Sequence, residues 1–267
     1  NDGSMIQAAG LQSQLSAGVY AKFGPLSIQL RPEFVYANNS HFTQTFERDN
    51  GSAFANAYRT YYNRIDLPER MGSGTYSQLN WGQSSIRLTF DPVSIGLSNE
   101  NLWWGPGVRN SLLMSNNAAG FKHLTLNTIR PIQTYIGSFE AQLIGGRLDP
   151  SGVATPSLAG YNTKPNDWRY LSAIAITWQP KWLPNLYLGL DRTFMTYSKD
   201  VGNSFSDYFP FLSAFGKLSN YDKVNLIAFE DTKRRDQYLS FFARWVMPES
   251  KAEVYFQYGR NDHSAQL

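Results

Sequence analysis

The chain has no cysteine, which excludes disulfides, cysteine-based metal sites and cysteine nucleophiles. Charged residues make up only 17% of its 267 residues, whereas soluble globular domains usually carry about 25%. No apolar run approaches the ~20 residues of a membrane-spanning helix, and no signal peptide is visible at Asn1. The net charge of +3 is too small to indicate nucleic acid as a partner. Low charge combined with the lack of an apolar helix favours a β-rich envelope protein over an ordinary soluble globule.

Aromatic residues are abundant, and apolar and polar residues alternate over about ten segments, which predicts about ten β-strands. Several segments are longer than the ~5–6 residues usual in soluble sheets, and membrane strands need about 9–11. Short turns and long loops follow one another alternately, and Tyr and Trp lie near strand ends, as in outer-membrane barrels. The predicted strands are 11–23, 26–36, 84–90, 93–98, 122–128, 137–147, 169–179, 185–197, 237–247 and 252–260.

We therefore predict an all-β fold, an antiparallel outer-membrane β-barrel with long loops and short helices, which forms one domain over residues 1–267. The competing interpretation is a soluble β-sandwich, whose strands also alternate. Strand length and low charge favour the membrane. Long loops are predicted at 38–81, 149–167 and 198–235, with helical turns near 53–62 and 207–218.

Residues 99–121, NENLWWGPGVRNSLLMSNNAAGF, have neither a helix period nor strand alternation. We call them the Trp-Asn segment and expect it to interrupt the sheet and fold against it. Aromatic faces beside amides suit a sugar, whose ring has an apolar C–H face and a hydroxyl rim. The competing interpretation is a structural plug, in which the tryptophan pair fills space and the asparagines satisfy loop backbone. The candidate ligand-binding residues are Trp103, Trp104, Arg109, Asn110, Asn116, Asn117, Glu100 and His123.

The remaining chemistry is sparse. The histidines His41, His123 and His263 lack zinc-ligand spacing, and no phosphate loop or nucleophile elbow exists, so no metal or other cofactor is predicted. Asp66 and Glu69 have the residue types of a glycosidase pair, but each has an arginine close by, which favours ion pairing. The basic run 233–235 would meet lipopolysaccharide or acidic capsule, or lie in a solvated loop.

The sequence GLSNENLWWGPGVRNSLLMSNNAAGFKHLTL, with GSMIQAAGLQSQLSAGVYAKFGPLSIQLRPEFVYA before it, resembles the Wzi-type capsule assembly proteins of bacterial outer membranes. RIDLPERMGSGTYSQLNWGQSSIRL, IGSFEAQLIGGRLD and VYFQYGRNDHS extend the resemblance over most of the chain. It implies a monomeric barrel of roughly eighteen strands with an occluded lumen. It also implies a non-enzymatic, lectin-like role in binding or organising capsular polysaccharide.

Only about ten strands are predicted here, and the chain stops where the family pattern would continue, so we expect a segment of a larger barrel. An envelope partner protein is a further expectation. Two other functions stay open. One is a channel or transport barrel, lined by the polar strand faces that include Arg31, Glu33, Arg87, Arg130 and Arg192. The other is a carbohydrate-active enzyme that uses Asp66 and Glu69.

Overall fold

The computed structural model describes residues 3–48, 53–212 and 235–261, which form an antiparallel β fold. This confirms the all-β prediction. Each of the ten predicted segments contains at least one strand. The strands are β1 Gln12–Ser16, β2 Val19–Phe23, β3 Leu26–Leu30, β4 Glu33–Ala37, β5 Tyr76–Asn80, β6 Ser85–Phe90, β7 Val93–Ser98, β8 His123–Thr128, β9 Ile132–Thr134, β10 Gly137–Leu148, β11 Arg169–Pro180, β12 Leu186–Tyr197, β13 Asp236–Met247 and β14 Ala252–Asn261.

One antiparallel ladder joins most of these strands, in the order β14-β13-β12-β11-β10-β8-β7-β6-β3-β2, with β9 added at one end of β10. A second, three-stranded sheet has the order β1-β4-β5. Within the described part of the chain the ladder is open, because it begins at β14 and ends at β2 without a pairing between them. The long strands β10 to β13 are paired along most of their length.

Two predictions about the first strands are wrong in detail. Each of the predicted strands 11–23 and 26–36 is divided in two, and Pro32, which has no N–H for a ladder bond, lies at the break between β3 and β4. β5 lies in the region that was predicted to be loop. Its sequence, YSQLN, has little apolar alternation, and its pairing with β4 defines it as a strand.

The two faces of the ladder differ in polarity. On β7, Ser94 is buried while Ile95 is exposed, and on β8, Thr125 is buried while Leu126 is exposed. Successive residues of a strand point to opposite faces, so on β7 and β8 small polar side chains line one face, which we call the inner face, and large apolar side chains line the other, the outer face. A soluble sheet has the reverse arrangement, with its apolar face covered.

The helices are short and lie in the long connections. α2 falls where helical turns were predicted, near 53–62. The second predicted helical region is only partly described, since residues 213–218 lie outside the described ranges, and its described part holds α3 and a 3-10 turn. None of the helices in the described ranges combines the length and hydrophobicity that crossing a membrane requires. The helices are α1 Thr45–Arg48, α2 Ala53–Arg64 and α3 Phe205–Tyr208, with 3-10 turns at Ser198–Asp200 and Pro210–Leu212.

Long and short connections lie at opposite ends of the ladder, because they alternate along an antiparallel meander. The loops after β4, β7, β10 and β12 are long, and those after β2, β6, β11 and β13 are short. Two of the long loops pack together. Asn63 of α2 donates to the Gly160 carbonyl at 2.8 Å and accepts from the Asn162 amide at 2.9 Å. The described parts of the connections after β4 and β10 thus form a structured cap at the long-connection end of the sheet, and we call them the cap.

Candidate functional site

The Trp-Asn segment connects β7 to β8 and folds back onto the inner face of the sheet, as predicted. Asn99 closes its base, because its side-chain amide donates to the carbonyls of Gly82 and Gly120. Asn101 repeats this one step further, donating to the Ala118 carbonyl at 2.7 Å and accepting from Gln83 at 2.6 Å. Two asparagines therefore hold the outgoing and returning chains together.

Trp104 is the apolar centre of the segment. It is only 5% exposed and belongs to a cluster with Met114 of the same segment and with Ile144 and Leu171 of the sheet. Its indole N–H donates to Gln142 Oε1 at 2.8 Å. This ring fastens the segment to β10 and β11.

Trp103 points differently. Its side chain is 39% exposed, and its indole N–H donates to the Gly107 carbonyl at 2.9 Å, which fixes the ring against the Gly-Pro-Gly turn. Gly105 in that turn has φ +115°, and a Cβ there would lie 2.7 Å from Gln257 Nε2 of β14. The turn therefore needs glycine both for its backbone angle and for its close approach to β14.

The polar candidates separate into exposed and tied residues. Arg109, Asn110 and Asn117 are exposed on the Trp-Asn segment. Asn116 is half-buried, and its carbonyl accepts the Gly3 amide at 3.0 Å, so the segment also holds the amino-terminal residues. The exposed side chains do not belong to the apolar cluster that holds Trp104.

Glu100 is a structural anchor in this geometry. Its carboxylate pairs with the Arg87 guanidinium and also accepts from Ser98 Oγ at 2.8 Å and Gln29 Nε2 at 3.1 Å. Arg87 in turn donates to Asn127 Oδ1 at 3.2 Å. A charged pair with this many partners fixes the start of the Trp-Asn segment over β6 and β7.

His123 begins β8, where the segment ends, and is buried on the inner face. Its Nδ1 lies 2.7 Å from the Phe121 carbonyl, so Nδ1 carries the proton and Nε2 is the acceptor. Nε2 has no hydrogen-bond partner among the described residues. The centroid of the His123 ring lies 4.9 Å from that of the Phe121 ring, so His123 packs against the last residue of the segment.

Two cavities border the segment. The sheet cavity, about 460 Å³, lies between the segment and the inner face, and its lining includes Arg87, Glu140, Asp191 and Phe242. The N-terminal cavity, about 500 Å³, is lined in part by Gly3, Arg31, Glu33 and Asn116. Trp103 lines both. Asp191 and Phe242 were not among the predicted site residues, although strand alternation places both on the polar face.

The charged residues considered for a channel lining do not share one surface. Arg31 and Glu33 line the N-terminal cavity and Arg87 the sheet cavity. Arg130 lies on a turn and pairs with Asp91 at 2.7 Å. Arg192 follows Asp191 on β12 and so points to the outer face, where it donates to the Phe211 carbonyl at 3.0 Å.

The acidic pair Asp66 and Glu69 braces the cap. Asp66 accepts from the Ser151 amide and hydroxyl, both at 2.7 Å, and Glu69 accepts from the Thr45 amide at 2.7 Å. The expectation of arginine partners is wrong for Arg70, which donates to the Asn39 and Ser73 carbonyls.

Lys164 lies 3.9 Å from the Tyr62 ring centroid in the same cap. Burial lowers the pKa of Lys164 and raises the pKa of Tyr62.

The other candidate ligands of a metal or anion stay apart. His41 is exposed and lies 3.9 Å from Glu47. In the ranges that the structure describes, no group of three His, Asp or Glu side chains is arranged to hold a metal ion. His263, Lys233 and Arg234 lie outside the described residues.

Comparison with known proteins identifies the family of the chain. The family model described as capsule assembly protein Wzi matches residues 1–267. Neither the search of curated proteins nor the search of solved structures gave a match. The chain belongs to the Wzi family of capsule assembly proteins, which act at the bacterial outer membrane.

Proposed function

We propose that this protein holds capsular polysaccharide at the cell surface without catalysing a reaction, and that the Trp-Asn segment is the surface it uses. The ladder lies in the outer membrane as part of a monomeric barrel of roughly eighteen strands. Its apolar outer face meets lipid and lipopolysaccharide acyl chains. The long connections then lie on the side where the capsule is, and the short turns lie on the other.

The observation that carries the proposal is the half-exposed Trp103 ring, held by its bond to Gly107 beside the exposed Arg109 and Asn110. A fixed aromatic face next to hydrogen-bonding side chains matches the apolar face and hydroxyl rim of a sugar. In this proposal Trp103 packs against sugar C–H groups and Arg109 pairs with carboxylates or hydroxyls. Asn110, Asn116 and Asn117 bond to hydroxyls.

The other three candidate residues support that surface. Trp104 anchors the segment in the apolar cluster, Glu100 fixes its start through Arg87, and His123 supports its end. Trp104, Glu100 and His123 Nδ1 all bond to groups within the protein, so the proposal gives the three residues positioning roles. In this proposal the exposed residues of the segment bind the ligand, and its buried residues fill space as a plug would.

The experiment is capsule retention in cells that produce the Trp103→Ala variant. We expect capsule in the culture medium, with the variant present and folded in the outer membrane. The matched control is Trp182→Ala, an exposed tryptophan on the short turn after β11, which should retain capsule. A second variant, with Arg109, Asn110 and Asn117 all changed to Ala, should also release it. Normal retention by both segment variants would overturn the proposal.

The same assay tests catalysis. If the protein is not an enzyme, Asp66→Asn and Glu69→Gln keep capsule attachment unchanged, since both carboxylates serve as acceptors for loop donors. Loss of attachment with a folded cap would favour the enzyme hypothesis.

A channel is the second candidate function, favoured by the two cavities that meet at Trp103. If the segment only gates a lumen, Trp103→Gly should raise conductance in planar bilayers above that of the unchanged protein. The absence of conductance from both proteins would reject this candidate.

A further inference from the structure

The sheet cavity lies between the Trp-Asn segment and the inner faces of β6 to β8 and β10 to β13. Trp103 and Trp104 form its wall on the segment side, and Glu140, Asp191 and Phe242 lie on the strand side. Its volume of about 460 Å³ falls within the range of small-molecule sites. It is separate from the exposed side chains Arg109 and Asn117, which do not line it.

Asp191 is a buried carboxylate that lacks a partner. Its side chain is 1% exposed, lines the cavity, and has no hydrogen-bond partner for Oδ2 among the described residues. The next residue, Arg192, points to the outer face and donates to Gln237 and to the Phe211 carbonyl, so it does not pair with Asp191 across the sheet. A buried carboxylate oxygen without a hydrogen bond is unfavourable, so a donor supplied from the cavity would be stabilised there.

An aromatic face lies next to this carboxylate. Phe242 of β13 pairs across the ladder with Gly189 of β12, two residues before Asp191 on the same face. A Cβ on Gly189 would lie 2.0 Å from Phe242 Cε1 and Cζ, so the ring rests directly on the glycine backbone. One side of the ring is covered by that backbone, and the other is turned to the cavity that Phe242 lines.

We propose that the sheet cavity binds one neutral sugar ring, which packs its C–H face on Phe242 and donates hydroxyl hydrogens to Asp191. Thr177 and Glu140, on the same wall, accept or donate to the remaining hydroxyls. Arg87, the basic residue of the lining, is already paired with Glu100. The acidic wall therefore selects uncharged hexoses over uronic acids. This site deepens the proposed polysaccharide role and rests on it for the class of ligand.

The test is saturation-transfer NMR on the full-length protein, which suits weak binding. The protein is held in an amine oxide detergent, because glycoside detergents would themselves supply sugar. The probes are glucose, galactose and mannose, with glucuronate as the charged comparison. We expect saturable transfer to at least one hexose and weaker transfer to glucuronate. Asp191→Asn should reduce hexose affinity about tenfold, because a charge-assisted hydrogen bond becomes a neutral one.

Phe242→Leu keeps an apolar cover over Gly189, removes the aromatic face, and should reduce affinity to a similar degree. It also serves if Asp191→Asn fails to fold. Asp149→Asn, at an exposed loop acid paired with Arg147, is the matched control and should bind as the unchanged protein does. The proposal is overturned by the absence of transfer to all three hexoses, or by unchanged hexose affinity in the folded Asp191 or Phe242 variant.

The two proposals fail in different experiments. The Arg109, Asn110 and Asn117 triple variant should release capsule yet still bind hexose, because none of the three lines the sheet cavity. Retained capsule in that variant would count against the surface site alone, whereas lost hexose binding in Asp191→Asn would support the cavity alone.

Discussion

The two faces of the main sheet carry different kinds of residue. The inner face buries Ser94, Thr125 and Ser240 beneath the Trp-Asn segment, while the outer face leaves Leu97, Leu126 and Val254 exposed. A contiguous apolar surface of this kind is rare on soluble monomers. The inner face is held by hydrogen bonds and one small apolar cluster. The turn Pro210–Leu212 covers part of the outer face over β11 and β12, and the exposed remainder gains stability if lipid covers it.

The inner face should be most sensitive at Trp104, because this ring is the centre of its apolar cluster. We expect Trp104→Ala to lower the free energy of unfolding by about 3–5 kcal/mol, measured by urea titration in lipid vesicles. Trp104→Phe keeps most of the packing and loses only the donor to Gln142, so about 1 kcal/mol is expected. Equal costs for the two variants would show that packing does not hold the segment.

The outer face is tested by an arginine at Leu126. In a bilayer, Leu126→Arg should cost about 2–4 kcal/mol near the midplane. The matched control is Leu158→Arg, at an exposed leucine in the cap loop, which should change stability little. The measurement is unfolding of both variants in vesicles. If both arginines are tolerated equally, the outer face meets water and the sheet is not a membrane sheet.

Two ion pairs that differ in exposure allow a further comparison. Glu100→Gln leaves the Arg87 guanidinium half-buried without its charged partner, and we expect a loss of about 1–3 kcal/mol. The more exposed pair of Arg244 and Glu253 is the control, and Glu253→Gln should cost about 0.2–1 kcal/mol. A larger effect at Glu253 than at Glu100 would contradict the anchoring role of Glu100.

The smallest effect is expected at the exposed turn after β6. There the Arg130 guanidinium bonds to Asp91 and holds the pKa of that carboxyl below its usual value. The stabilisation is therefore present above the unfolded pKa of about 3.9 and is lost as pH falls through the lowered value. Arg130→Gln should return the pKa of Asp91 towards its ordinary value, measured by NMR titration of the side-chain carbon. An unchanged pKa would show that Arg130 is not the cause.

Alternation in the sequence located ten of the eleven strands of the main ladder, all except β9, because the two faces require different residues at every second position. It did not find β5, since Tyr76–Asn80 has little apolar alternation and becomes a strand through its partner β4. It also did not divide the first strands, where the break depends on how the two sheets meet near Pro32 and Gly82.

The sequence located the segment that forms the candidate site, but it did not separate the residues that are exposed from those that anchor the segment. Trp103 and Trp104 are neighbours with the same composition around them, and only the fold decides that one ring is buried against Ile144 and the other is exposed. Asp191 was missed because a single acid in an apolar strand has no motif. Its significance comes from Phe242, which lies 51 positions later and is brought beside it by the register of β12 and β13.

The Trp-Asn segment begins at the end of β7 and returns at the start of β8, and these strands are immediate neighbours in the ladder. Both ends of the Trp-Asn segment are therefore covalently attached to neighbouring strands. The segment cannot separate from the sheet as an independent unit. Any displacement from the inner face would be a rotation about the line that joins Ser98 and His123, at the end of the ladder that carries the long connections. Such a rotation would open the sheet cavity without separating the segment from β7 or β8.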